Sequence, residues 1–94
     1  MHETGMVRDL IRRIEAAATA NGGGKVVGVQ VWLGALSHLS AEHFRVHFDA
    51  EARGSAAEGA QLSITESADV ADPRAQYLLL ESLDLEDQAE VRGA

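Results

Sequence analysis

The sequence KVVGVQVWL, residues 25–33, decides the fold of this chain. Apolar residues alternate here with small or polar ones, and a period of two is typical of a β-strand. Trp32 is therefore predicted on the second face of a sheet, where it covers a sheet edge or packs under a loop. Contact with a partner protein is the less common alternative. The alternating apolar positions are Val27, Val29, Val31 and Leu33.

One amphipathic helix is predicted before this strand and a second one after it. The first runs from about residue 4 to 20 and ends at the glycine run 22–24, because glycine accepts the left-handed conformation of a helix C-terminus. Ser40 is predicted to cap the second helix, in which Phe44 and Phe48 face the sheet. The apolar stripe of the first helix consists of Val7, Leu10, Ile11, Ile14, Ala17, Ala18 and Asn21.

Two further strands are predicted at 61–66 and 77–85, joined by a polar loop at 67–76. The acidic tail, which includes Asp84, is expected to fray. The chain is long enough for one core, so residues 1–94 are predicted to form a single domain. Its fold class is α/β, as a two-layer α+β arrangement in which two helices pack on a small three-stranded sheet.

Composition argues against several classes of function. The net charge is −7 and no basic cluster is present, which disfavours nucleic acid and anionic membranes as partners. The chain has no cysteine, so disulfides, zinc fingers and thiol catalysis are excluded. No membrane-spanning run or signal peptide is recognisable, so a cytoplasmic location is expected. No Ser/His/Asp set or carboxylate pair nominates a catalytic site, and we do not expect an enzyme.

The first three residues, Met1, His2 and Glu3, bring unlike donor groups together through covalent structure alone. If Met1 is the retained first residue, its α-amine, the His2 amide nitrogen and the His2 imidazole can close adjacent chelate rings in one plane. The Glu3 carboxylate or a water can fill a fourth position, and planar nitrogen-rich sites suit Ni(II) and Cu(II). On these residues alone, a frayed chain end without function stays an open alternative.

A second candidate is the pair His43 and His47, which lie four residues apart on the second predicted helix. This spacing can chelate a metal ion, but the glutamate of the zinc-protease motif HExxH is missing. Two surface histidines without a function are the alternative.

Several segments taken together resemble the nickel-binding domain of the HypA/HybF family, the nickel metallochaperones of NiFe hydrogenase maturation. The similarity runs from residue 1 to about residue 66 and resumes at 79–84, which resembles the family's closing strand. The opening MHE and the segment RGSAAEG at 53–59 carry most of its specificity.

The resemblance implies that Met1, His2 and Glu3 hold Ni(II), through the terminal amine, the amide nitrogen and the imidazole. The metal would be transient cargo, passed to a hydrogenase large subunit with a nickel-insertion GTPase as collaborator. Some relatives also serve urease, and the client and a homodimeric state stay open.

The chain departs from the family pattern in two places. Relatives insert a zinc domain with paired CxxC motifs between their last two strands, whereas residues 67–76 stand there without cysteine, so no structural zinc is expected. Ser40 stands where relatives often have an acidic residue that assists the nickel site, and His38 could substitute for it. Both departures favour a second hypothesis, in which the chain is a metal-free docking or scaffold module that binds a hydrogenase-related partner.

Overall fold

Two helices pack against each other and against a mixed four-stranded sheet in the computed structural model, which describes residues 3–86, 91 and 92. The elements are α1 Glu3–Ala20, β1 Val26–Leu33, α2 Ala41–Ala52, β2 Gln61–Glu66, β3 Leu78–Leu85 and β4 Val91–Arg92. The strand order is β2-β1-β3-β4, with β1 parallel to β2 and antiparallel to β3. The predicted two-layer fold and its three strands are confirmed, and β4 adds a short fourth strand at the β3 edge.

The central strand β1 is buried almost throughout, but its alternation is broken at one residue. Val26, Val29 and Val31 are fully buried, whereas Val27, predicted among the apolar positions, is 41% exposed. The pairing with β3 shifts register between Val26 and Gly28, and such an irregularity moves a side chain to the other face. The side chain of Val26, and not that of Val27, therefore lies on the face of the sheet that packs against the helices.

Helix α1 buries the predicted stripe except at its C-terminal end. The glycine run ends the helix as predicted, because Gly22 and Gly23 adopt positive φ and donate to the carbonyl oxygens of Thr19 and Ala18 at 3.2 and 2.7 Å. Asn21 was predicted to belong to the stripe, but it is exposed and its side-chain amide donates to the Ala17 carbonyl oxygen. Its role is therefore to satisfy a terminal carbonyl group. The buried members of the stripe are Val7, Leu10, Ile11, Ile14 and Ala18.

Helix α2 begins with the predicted serine cap. Ser40 has extended backbone angles, and its Oγ accepts a hydrogen bond from the His43 backbone N–H at 3.1 Å. Phe44 and Phe48 are 0% and 1% exposed, with their ring centroids 6.1 Å apart. Both phenyl rings of the otherwise aliphatic core therefore come from one face of α2.

The segment RGSAAEG after α2 is a turn whose polar residues bond to one another. Ser55 Oγ donates to the Ala52 carbonyl oxygen at 2.7 Å and accepts from the Ala57 N–H at 3.0 Å. The Glu58 carboxylate accepts from the Gly54 N–H at 2.9 Å, and Gly54 has a φ of 79°. Such a backbone conformation favours glycine. The turn places Ala57 in the core and leads into β2.

The predicted 67–76 loop consists of turns that pack closely on the end of β1. The Gly34 N–H donates to the Tyr77 carbonyl oxygen at 2.9 Å, and the Arg74 guanidinium lies 5.1 Å from the centroid of the Trp32 ring. Trp32 therefore packs under a loop, which was one of its two predicted settings.

The prediction that the acidic tail frays from Asp84 onward is wrong for its first part. Asp84 lies within β3, and its Oδ2 accepts a hydrogen bond from Gln30 Nε2 at 3.1 Å across the sheet. Asp87 and Glu90 lie outside the described residues. Among the described residues, no helix is both long and apolar enough to cross a membrane.

Candidate metal site at the start of the first helix

Of the three predicted metal ligands, the structure describes Glu3, while Met1 and His2 lie outside the described residues. Glu3 is the first residue of α1, where the helix dipole favours a negative side chain. Its side chain is 23% exposed, so the carboxylate lies partly under its neighbours. The assignment of Met1 and His2 as ligands stays a prediction.

The Glu3 carboxylate meets an imidazole from the other helix. Its Oε2 lies 3.2 Å from His47 Nε2, which is an ion-pair distance when the imidazole is protonated. Within the described residues, however, Oε2 is inaccessible to solvent and makes no hydrogen bond. The two atoms are close, but their geometry is not that of a hydrogen bond. Glu3 thus presents a buried oxygen that no donor satisfies.

A second pair joins the two helices further along their length. Arg8 Nε donates to both carboxylate oxygens of Glu51, at 3.1 and 3.2 Å. Because Glu3 pairs with His47 and Arg8 with Glu51, α1 and α2 run in the same direction. The Arg8 side chain is 61% exposed, so this pair contributes at most about 1 kcal/mol. The pair joins the second turn of α1 to the last turn of α2, about one turn beyond the contact between Glu3 and His47.

The other histidines and Ser40 do not gather around Glu3. Ser40 Oγ is engaged as the α2 cap, and the His43 and His38 side chains are exposed. His38 adopts a φ of 62°, a conformation uncommon outside glycine. His47 contacts Glu3 of α1, whereas His43, the other member of the candidate metal-binding pair, is exposed.

Among residues 3–86, 91 and 92, no three His, Asp or Glu side chains are grouped so that they could hold a metal ion. Glu3 and His47 therefore do not form a complete donor set by themselves. The contact between Glu3 and His47 was not predicted, and no local sequence signal could have found it, since it depends on how α1 and α2 pack.

Two helices on a mixed four-stranded sheet make this a small two-layer α+β domain. Residues 1–72 match the HypA family, described as hydrogenase/urease nickel incorporation, metallochaperone. The chain belongs to the HypA family.

The chain is also similar in sequence to individual HypA proteins. The chain is 36% identical over 66 residues to hydrogenase maturation factor HypA of Chlorobaculum tepidum, covering 70% of this chain and 58% of the relative. It is 37% identical over 71 residues to the HypA of Chlorobium limicola, covering 76% of this chain and 61% of the relative. It is 41% identical over 64 residues to the HypA of Rhodobacter capsulatus, covering 68% of this chain and 57% of the relative.

The fold is also similar to a solved structure. The solution structure of the Ni metallochaperone HypA from Helicobacter pylori matches with a TM-score of 0.78 at 21% identity, covering 90% of this chain and 97% of that one. At this identity the likeness concerns the fold alone. The chain spans about three fifths of the length of the curated relatives it matches.

Proposed function

We propose that this chain is a nickel metallochaperone that binds Ni(II) through Met1, His2 and Glu3 during maturation of NiFe hydrogenase. The observation that supports this most strongly is the buried Glu3 oxygen, which accepts no hydrogen bond within the described residues and directly follows His2, in a chain of the HypA family. An α-amine, an amide nitrogen and an imidazole form a donor set that suits Ni(II). The carboxylate that follows adds a fourth donor and a negative charge.

The proposal extends to delivery. A site at the start of a helix can be approached by ligands of an acceptor protein, and we assign that acceptor to the hydrogenase large subunit. A nickel-insertion GTPase is the proposed collaborator. We further propose that residues 1–94 act as one nickel-binding domain in which 67–76 replaces the zinc domain of relatives, because the chain contains no cysteine to bind zinc.

A chain with one extra residue before Met1 tests the proposed site. The extension converts the α-amine to an amide and leaves residues 3–86 unchanged. We expect calorimetry to show tight Ni(II) binding by the chain that begins with Met1 and its loss in the extended chain. Circular dichroism should be the same for both. Equal affinity of the two chains would contradict the site.

A second candidate function is a metal-free docking module for a hydrogenase-related protein. It is favoured by Ser40, whose Oγ serves as a helix cap and which offers no carboxylate to a metal. One measurement distinguishes the two functions: the affinity of the chain for the hydrogenase large subunit, determined with and without Ni(II). A chaperone should respond to the metal or release it to the partner, whereas a docking module should bind equally well in both conditions.

A further inference from the structure

His47 is the described imidazole that contacts the proposed nickel site. Its Nε2 lies 3.2 Å from Glu3 Oε2, and its side chain is 44% exposed, so it is held against α1 while still reachable from solvent. The same helix carries His43, which is exposed and lies one turn nearer to Ser40. His47 therefore has a contact with α1 that His43 lacks, a difference that their sequence spacing does not reveal.

The separation of these two atoms is that of two neighbouring ligands on one metal ion. With metal–donor bonds of about 2.1 Å, two donors at right angles lie about 3.0 Å apart, and two donors at a tetrahedral angle about 3.4 Å apart. The observed 3.2 Å falls between these values. In addition, Oε2 is inaccessible to solvent and accepts no hydrogen bond within the described residues, although it lies at ion-pair distance from His47. A metal ion beside these two atoms would bind both of them.

We propose that His47 is a ligand of the same Ni(II) ion, binding through Nε2 beside the Glu3 carboxylate. The inference rests on the proposed function, because Met1 and His2 supply the remaining donors. Helix α2 then contributes to a site that the sequence places entirely on the first three residues. Its imidazole adds a donor from α2, whereas Ser40, engaged as the cap of that helix, adds none.

The added ligand would change the electronic state of the metal. Three nitrogen donors from Met1 and His2 with one oxygen would give a four-donor planar set, in which Ni(II), a d8 ion, has no unpaired electrons. A fifth donor would favour the high-spin state with two unpaired electrons. His47 comes from another helix and belongs to none of the chelate rings of the terminal residues, so it would be an additional donor to that set.

The test compares the wild-type chain with His47→Gln, using His43→Gln as the matched control on the same helix. Glutamine keeps the side chain polar and helix-compatible, and circular dichroism checks that each variant is folded. Affinity is measured by Ni(II) calorimetry, magnetic state by NMR susceptibility, and the number of imidazole ligands by X-ray absorption. We expect His47→Gln to bind about tenfold or more weakly, to lose one of two imidazoles and to become diamagnetic. His43→Gln should behave as wild type.

A His2→Ala variant separates failure of this inference from failure of the proposed function. If nickel binding requires His2 but is unchanged in affinity and ligand count by His47→Gln, the inference is overturned and the proposed function stands. If affinity falls but the number of imidazoles does not, His47 positions Glu3 and is not a ligand, which also overturns the inference. If nickel binding requires His47 and His43 but does not require His2, the metal binds to α2. That result would overturn both the inference about His47 and the proposed function.

Discussion

Replacing Gly34 by alanine tests how closely the 67–76 loop packs on the end of β1. A Cβ at Gly34 would overlap the Ala75 carbonyl group, and because these are backbone atoms the loop itself must shift. Two hydrogen bonds are at risk, from the Gly34 N–H to the Tyr77 carbonyl oxygen and from the Leu36 N–H to the Ala75 carbonyl oxygen. At about 0.5–1.5 kcal/mol each, their loss lowers the free energy of unfolding by about 1–3 kcal/mol.

Thermal unfolding measures this loss. For a domain of this size, each kcal/mol moves Tm by about 4–8 °C, so a loss of about 2 kcal/mol lowers Tm by about 8–16 °C. Trp32 is the single tryptophan of the chain and lies under Arg74 of the loop, so its fluorescence under native conditions reports displacement of the loop. We expect both readouts to change in Gly34→Ala.

The matched control is the same substitution at Gly5. This residue lies inside α1, and no atom comes within 4 Å of the added Cβ. Alanine is favoured over glycine in a helix by about 0.5–1 kcal/mol, so Gly5→Ala should raise Tm slightly and leave the Trp32 emission unchanged. Equal effects of the two substitutions, or an unchanged Tm in Gly34→Ala, would refute the placement of the loop.

Two other predictions concern the α2 cap and the loop. Ser40→Ala should lose about 1 kcal/mol of stability in urea unfolding, whereas Ser40→Asp should retain it, because aspartate also accepts the bond from the N–H of residue 43. In the loop, the Arg74 backbone N–H, followed by its side chain, lowers the pKa of Asp72. Arg74→Ala keeps that N–H, so carboxyl NMR should show the pKa of Asp72 rising only part of the way to the ordinary aspartate value of about 3.9. Because folding lowers the pKa of Asp72, its stabilising contribution is complete above the unfolded pKa of about 3.9 and is lost as the pH falls through the folded value. Below about pH 4, the stability of wild type should therefore fall more steeply than that of Asp72→Asn; equal slopes would argue against the contact.

The helices and the three main strands could be predicted from the sequence because their hydrophobic periods are regular and their ends carry strong signals. Residues 61–66 are a strand with the predicted bounds, and Ser40 caps α2 as predicted. Val27 could not be placed, because a register shift in the β1–β3 pairing interrupts the period of two. β4 was missed because two residues carry no periodic signal.

The site was less predictable than the fold. Covalent structure holds the donor groups of Met1, His2 and Glu3 together, and the family resemblance assigns them to nickel, so these residues could be proposed without tertiary structure. The contact between Glu3 and His47 joins residues far apart in the chain, and only the packing of α1 on α2 creates it. The segment at 53–59, which carried much of the family resemblance, is a turn held by its own hydrogen bonds.

The most direct test of the nickel site is a calorimetric Ni(II) titration of the untagged chain beside His2→Ala. His2 precedes α1, so the variant should keep the fold, and circular dichroism verifies this. We predict that the wild-type chain binds about one Ni(II) tightly and that the variant loses this binding, since the imidazole and its chelate ring are removed. Equal binding by both chains would place the metal on other histidines and contradict the site, and absence of binding by the wild-type chain would contradict the chaperone function itself.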